Sequence, residues 1–355
     1  MRKPIAENFH WSLLLAASVA STGCSSGGFT QPGMSGSPSA YPLATDTKGR
    51  LSGSMWLSGG SYTYEGSKIV YFGIVDAYRL HGKNHRHGVL WGPNRQDLVS
   101  PQGMVTDPSR NLYVVDGGAS GASAIYMYSP GTHTPSKTFS DPGMFPVQDA
   151  IGADGTLYVA NMYTASFGPG NVVAYAPGAT SPTKTFTDSN FDQVEGVAVD
   201  RRGNIFVSYN VSPSSTGTVA VFLRGSKKAT ETGIKVPPNG SSSEAGVLTL
   251  DINANLLLGY GADSGGVAIY SSSAPYAQQG TFNLNGHTQG LAFNRDGKTL
   301  YSADYQLSQG EVYSYDPSTY SVSLINTVAP WFPNLPQYLG DARGIAVAPA
   351  LALPK

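Results

Sequence analysis

Hydrophobic and polar positions along this chain alternate in short runs, with brief apolar stretches separated by turns rich in Gly, Asp, Asn and Ser. That is the pattern of strands and tight turns. One unit recurs as Gly103-Met-Val-Thr-Asp-Pro-Ser-Arg-Asn-Leu-Tyr-Val-Val-Asp116, as Gly196-Val-Ala-Val-Asp-Arg-Arg-Gly-Asn-Ile-Phe-Val-Ser-Tyr209, and as Gly290-Leu-Ala-Phe-Asn-Arg-Asp-Gly-Lys-Thr-Leu-Tyr-Ser-Ala-Asp304. Each reads as strand, polar turn, strand. Weaker copies begin at Gln148 and Val247 and a truncated one at Gly344, so the six starts differ by 45, 48, 51, 43 and 54 residues. A second marker, an apolar residue followed three places later by an aromatic, predicts third strands ending at Tyr78, Tyr128, Tyr175, Phe222, Tyr270 and Tyr315. Ser136–Phe139 and Thr183–Phe186 read as fourth strands. Six repeats of four strands predict an all-β, six-bladed β-propeller over residues 51–355.

The two marker series are out of phase at the chain ends. The strand from Gly344 to Ala348 therefore has to complete a blade whose other strands come from residues 54–92, closing the ring without an open edge. Both Ser54–Leu57 and Ile69–Phe72 fit as the second strand of that blade.

The Gly-apolar-Ala-apolar-Asp-x-x-Gly-Asn-apolar-aromatic-Val segment at Gly196 and the Asp296–Tyr301 run resemble the repeats of NHL-type and SMP-30/gluconolactonase-like bacterial propellers. The resemblance covers residues 100–350 and implies the fold; one propeller scaffold hosts many activities. In such folds the first strand lines the central channel, and function sits on the face where it begins. The residues before the first strands are Gln102, Val147, Glu195, Gly246, Gln289 and Arg343; those ending the second strands include Asp116, Asn161, Tyr209, Tyr260 and Asp304. Gln102, Asp116, Asn161, Glu195, Gln289, Asp304 and Arg343 are thus the candidate ligand-binding ring, and Glu195 and Arg343, three blades apart, the candidate catalytic pair. Two readings of the ring stand side by side. It is a small-molecule or metal pocket, or its side chains hydrate a narrow pore and satisfy blade-edge backbone groups.

The lactonase-like branch implies a divalent ion held by Glu, Asn and Asp around the channel. Here Gln289 stands where that family carries its Asn, and Glu195-Gly196 is the only Glu-Gly at a first-strand start. No cofactor is assigned, and a divalent cation (Ca, Mg or Zn) is the open alternative. His81, His85 and His87 could bind zinc or copper, but they sit among Lys83 and Arg86 in a loop on the opposite face and read as a solvated basic turn. His133 and His287 lie apart from that run and read as structural or surface residues.

Residues 1–23 carry a basic start (Arg2, Lys3), an apolar stretch from Trp11 to Ala20 too short to span a bilayer, and small residues up to Cys24, the sole cysteine. This resembles a bacterial lipoprotein signal with Cys24 lipidated, although Ser21 stands where that signal usually carries an apolar residue. Cleavage near Ala20 and release is the alternative; both routes export the protein. Residues 24–50, rich in Ser, Gly, Pro and Thr, read as a tether. The expected address is the bacterial envelope, at the outer membrane or cell surface, with the lipid anchor as membrane contact.

Composition narrows the function classes. Charged residues are 13% of the chain against about 25% in typical domains, and the net charge is −1, so nothing marks a nucleic-acid surface. There is no nucleophile elbow, phosphate-binding glycine loop or His-Glu-x-x-His segment. The leading expectation is a monomeric, non-catalytic envelope propeller that binds protein or glycan. The alternative is a metal-dependent lactonase-like hydrolase or lyase at the channel mouth.

Overall fold

The computed structural model describes residues 53–351 except 66–67, 81–85, 97, 118–122, 165–167, 212–215, 238–243, 261–264 and 330–340. Residues 1–50, where an export signal, Cys24 lipidation and a tether are expected, and His81 and His85 lie outside the described residues. Six antiparallel four-stranded sheets make up the domain. Chain-terminal strands share one blade, blade six: β1 (Ser54–Glu65), β2 (Lys68–Arg79) and β3 (Arg86–Leu90) pair in order behind the last strand, β24 (Asp341–Ala348). Ser54 opposes Ala348, so the two ends of the chain close the ring as the offset of the repeats requires. Ser54–Leu57 is the second strand, and Ile69–Phe72 falls in the third.

The other blades follow in sequence. Blade one is β4 (Pro101–Thr106), β5 (Leu112–Gly117), β6 (Ser123–Tyr128) and β7 (Lys137–Ser140). Blade two is β8 (Met144–Ile151), β9 (Leu157–Tyr163), β10 (Asn171–Tyr175) and β11 (Lys184–Phe186). Blade three is β12 (Gln193–Val199), β13 (Ile205–Val211), β14 (Thr216–Phe222) and β15 (Thr230–Lys235). Blade four is β16 (Ala245–Leu250), β17 (Asn255–Tyr260), β18 (Gly266–Ser271) and β19 (Gln278–Asn283). Blade five is β20 (Thr288–Phe293), β21 (Thr299–Asp304), β22 (Gln309–Asp316) and β23 (Ser321–Val328). Each first strand touches the first strands of both neighbouring blades, so β24, β4, β8, β12, β16 and β20 form the innermost ring.

The repeat motif explains the hairpins. Between first and second strands, an Asp accepts from the backbone N–H and the side-chain amide of an Asn four residues on. The distances are 2.8 and 2.7 Å for Asp107–Asn111, 2.8 and 2.8 Å for Asp200–Asn204, and 2.8 and 3.1 Å for Asp251–Asn255. The residue before the Asn is left-handed, with φ of 67° at Arg110, 85° at Gly203 and 63° at Ala254, which is why glycine suits that place.

Third strands such as β10 are buried along their whole length because blades cover both faces, whereas fourth strands such as β15 alternate exposed and buried residues. The core lies between blades. Phe186 of blade two meets Phe222 of blade three edge-on at 5.1 Å, within a cluster holding Val172, Val197, Val207 and Tyr209. Each such side chain contributes about 1.5–3 kcal/mol by burial. Cross-strand register corrects one marker: Tyr313, and not Tyr315, occupies the place of Tyr128, Tyr175, Phe222 and Tyr270, and β22 continues three residues beyond it.

Candidate site at the channel mouth

Every blade breaks its first-to-second-strand register at the same place, at Gln102, Val147, Glu195, Gly246, Gln289 and Arg343. A bulge of this kind leaves a residue out of the ladder and re-aims its side chain. The repeat places these residues just before the first strands; the strands begin one to three residues earlier, so each residue stands inside its first strand, at the bulge near that strand's start.

Below them the ring is tight. A Cβ on Gly103 would fall 2.6 Å from the Gln148 Cα, and one on Gly344 would fall 1.9 Å from the Gln102 carbonyl oxygen. Blade two has Gln148 where blades one, three, five and six have glycine. Its side-chain amide Nε2 donates to the Leu248 carbonyl at 2.6 Å, and its Oε1 accepts from the N–H groups of Val197 and Leu248 at 3.0 Å each. One side chain thus joins blades two, three and four at the axis. Ser58 does the same for blades six and one, donating to the Gln102 carbonyl at 2.8 Å and accepting from the Gly344 N–H at 2.7 Å. These groups satisfy the inner edges of the first strands, which have no further strand to pair with. The sequence signal for Gln148 was the missing glycine in the repeat.

The mouth has an acidic and a basic side. On the acidic side, the Glu195 carboxylate accepts from the Asn210 side-chain amide at 3.3 Å, and the Asn210 oxygen accepts from the Ala245 N–H at 2.9 Å. Burial, then the neighbouring charge of Glu244, push Glu195 up to about 8 against the weaker opposing effect of Asn210. Gln193 donates to the Tyr163 hydroxyl beside them. Opposite, Arg343 lies over the backbone of Gly60, donates to the Ser100 hydroxyl at 2.5 Å and pairs with Asp341 at 3.6 Å. Gln102 also donates to Ser100, at 3.0 Å. Burial raises Asp341, against Arg343 and Tyr305. His287 belongs to this rim: its Nε2 lies 3.1 Å from the Gln289 amide, and its ring meets Tyr305 edge-on at 5.8 Å. By sequence alone His287 reads as a structural or surface residue apart from the His81–His87 run; two residues before Gln289, it stands at the rim.

The second-strand candidates lie deeper. Asp116, 3% exposed, accepts from the N–H groups of Val99 and Ser100 at 3.1 and 2.6 Å. Asn161 donates to Asp141 and Asn171 at 3.2 and 3.1 Å. Asp304 accepts from the N–H groups of Gln306 and Leu307 at 2.9 and 3.1 Å. Tyr209 points into the core between blades two and three and donates to Glu231 at 2.7 Å. Asp116, Asn161 and Asp304 hold loops next to the inner strands, whereas Tyr209 ties blade three's second strand to its outermost strand, β15.

Among the described residues, no three His, Cys, Asp or Glu side chains converge on a point that could hold a metal ion. The expected solvated basic turn needs one correction. Arg86 is drawn to the fully buried Asp76 of its own blade at 2.7 Å, because an unpaired carboxylate there would be costly. His133 reaches from blade one to the Val89 carbonyl at 2.9 Å and is structural. A groove of about 500 Å³ on the flank of blades two and three, lined by Thr164, Gly170, Asp188, Lys227 and Lys228, includes none of the ring residues. Among the described residues no helix is long and apolar enough to cross a membrane.

No protein-family model matches the sequence, and no curated protein is significantly similar to it. Solved structures do match. One from a nidogen/laminin complex shares 13% identity, with 84% of this chain and 100% of that chain covered and a TM-score of 0.58. A candidate 6-phosphogluconolactonase from Bacteroides fragilis shares 12%, covering 86% and 99%, at 0.55. A protein from Lactobacillus plantarum shares 14%, covering 83% and 99%, at 0.53. At these identities the likeness is one of fold: this chain is a six-bladed propeller, similar in architecture to a laminin-complex component and to lactonase-like proteins.

Proposed function

We propose that the protein is an exported, lipid-anchored, monomeric propeller that binds a hydroxyl-rich glycan at its channel mouth without transforming it. The observation that carries this reading is the two-sided rim. Glu195, Asn210 and Gln193 on one side and Arg343, Gln102 and Gln289 on the other offer paired donors and acceptors, and Gln148 links blades two, three and four beneath them. A carboxyl titrating near 8 beside a second carboxyl presents a donor and an acceptor together at neutral pH, which suits sugar hydroxyls. The titrating Glu195 also favours a second reading, a lactonase-like hydrolase of the SMP-30 type using it as general base.

The test is glycan-array binding and a sugar-lactone hydrolysis screen on the full chain carrying Cys24→Ser, with Glu195→Gln and Arg343→Ala alongside. Glycan binding that both substitutions weaken, without turnover, is the expected result. Turnover lost in Glu195→Gln would replace it with the hydrolase reading, and glycan binding unchanged in both variants would move the site elsewhere. For the anchor, Cys24→Ser should shift the native protein from the membrane to the soluble exported fraction. An unchanged membrane fraction would refute lipidation.

A further inference from the structure

A second polar cluster lies between blades four and five, apart from the Glu195 side of the mouth. Thr288 opposes Asp304 across the first strand pair, and Ser302 opposes Glu311 across the next. All four are buried, at 4%, 1%, 0% and 0% exposure. They share the sheet face of Leu300 and Tyr313, which pack against Val247, Leu257 and Ile269 of blade four. In blades one to four the register puts Val114/Tyr126, Val159/Val173, Val207/Ala220 and Leu258/Ala268 in the places of Ser302 and Glu311. Blade five alone sets a hydroxyl and an acid at this pair.

The groups reaching these acids carry no charge. Glu311 accepts from the side-chain amides of Asn285 and Gln309 at 2.9 and 3.0 Å and from the Tyr313 hydroxyl. Asp304 Oδ1 accepts the two loop N–H groups, while Asp304 Oδ2, Thr288 Oγ1 and Ser302 Oγ are buried without a partner. The loop at Gly286 presses against the Asp304 carboxylate so closely that a Cβ would come within 2.4 Å of both its oxygens. Two carboxyl groups buried side by side, reached by no cationic side chain among these contacts, are costly as they stand. Blade six shows what such a site takes in compensation: Asp76, at the register position of Glu311, has Arg86.

We propose that Asp304, Glu311 and Thr288, with the amides of Asn285 and Gln309, form a binding site for a hard divalent cation, calcium, that fastens blade four's exit loop to blade five. The donors are all oxygen once the two amides turn by half a rotation, a change that costs little in shape. Carboxylate, hydroxyl and amide oxygens without nitrogen or sulfur ligands select calcium over zinc. Two carboxylates balance its charge.

The test is titration of the full chain with Ca²⁺ by calorimetry and with Tb³⁺ by luminescence excited through tyrosine, Tyr313 being bonded to Glu311. Expected are one saturable site, Tb³⁺ emission displaced by Ca²⁺, and a Tm that rises with Ca²⁺. Asp304→Asn should abolish binding, Thr288→Val should weaken it roughly tenfold, and Glu195→Gln should leave it unchanged. If Asp304→Asn does not fold, Thr288→Val decides. The proposal is overturned by no binding up to millimolar Ca²⁺, by binding unaffected in Thr288→Val, or by binding lost in Glu195→Gln. Because the glycan test reads Glu195 and Arg343, either reading can fail alone.

Discussion

Blades six and two each bury an aspartate, on a second-to-third and a first-to-second strand pair respectively, and the two are treated in opposite ways. Asp76 of blade six is 0% exposed, receives the Arg86 guanidinium at 2.7 Å and has the Tyr78 hydroxyl nearby. Asp149 of blade two is 5% exposed, and neither of its carboxylate oxygens has a partner. It faces blade one near Tyr113, and Ile151, two residues on, packs with Val115 and Ile125. At the same register the other five blades carry Met104, Val197, Leu248, Leu291 and Ile345. An ion pair lets an acid stay charged in the core. Without one, burial drives the Asp149 carboxyl far above its ordinary range and favours the neutral acid. The same residue type thus meets charge compensation in one blade and an unrelieved pressure toward protonation in the other.

The largest effect should come from breaking the pair. Arg86→Met leaves Asp76 buried and uncompensated, which costs about 3–5 kcal/mol, with the partial exposure of Arg86 favouring the lower end. Denaturant unfolding measures it, and Arg86→Met combined with Asp76→Leu should recover most of the loss. A single-variant cost below about 1 kcal/mol would mean that the pair behaves as a surface ion pair. Asp149→Leu should act in the opposite direction. Restoring the apolar residue of the repeat should stabilise the fold at pH 7 by about 1–3 kcal/mol. A loss of stability would show that Asp149 has a binding partner in solution.

Blade number, strand count and the closure of the ring were legible because the repeat imposes them, and the Asp–Asn turn is written in Asp200 and Asn204 themselves. The ring positions were legible too, since one bulge per repeat fixes Gln102, Glu195 and Arg343 at the mouth. What the repeat cannot report are its exceptions. Gln148, Asp149 and Glu311 depart from the pattern at single places, and their roles depend on contacts to other blades that no local spacing encodes. Glu195 was chosen by position, while the proximity of Glu244 that raises it follows from blade three packing on blade four. His287 joined the rim by the path of a loop, which carries no periodicity.

The smallest effect is also the one that most directly separates a proton from an ion pair. The folded state holds the Asp149 proton to a higher pH than the unfolded chain does. Its contribution is therefore complete below the ordinary aspartate value of 3.8 and is lost as the pH rises through the folded value. Asp116, Asp141, Asp304 and Asp341 are also raised by burial, so the unmodified protein should lose stability with rising pH over the acidic range, the slope from any one group being at most about 1.4 kcal/mol per pH unit. Unfolding free energies of Asp149→Leu at intervals between pH 4 and 7 should show a shallower fall than the parent, with the two curves diverging as the pH increases. Parallel curves would mean that Asp149 is ionised in the fold. Its compensation would then have to be an ion, and the contrast with Asp76 would reduce to a difference in who supplies the positive charge.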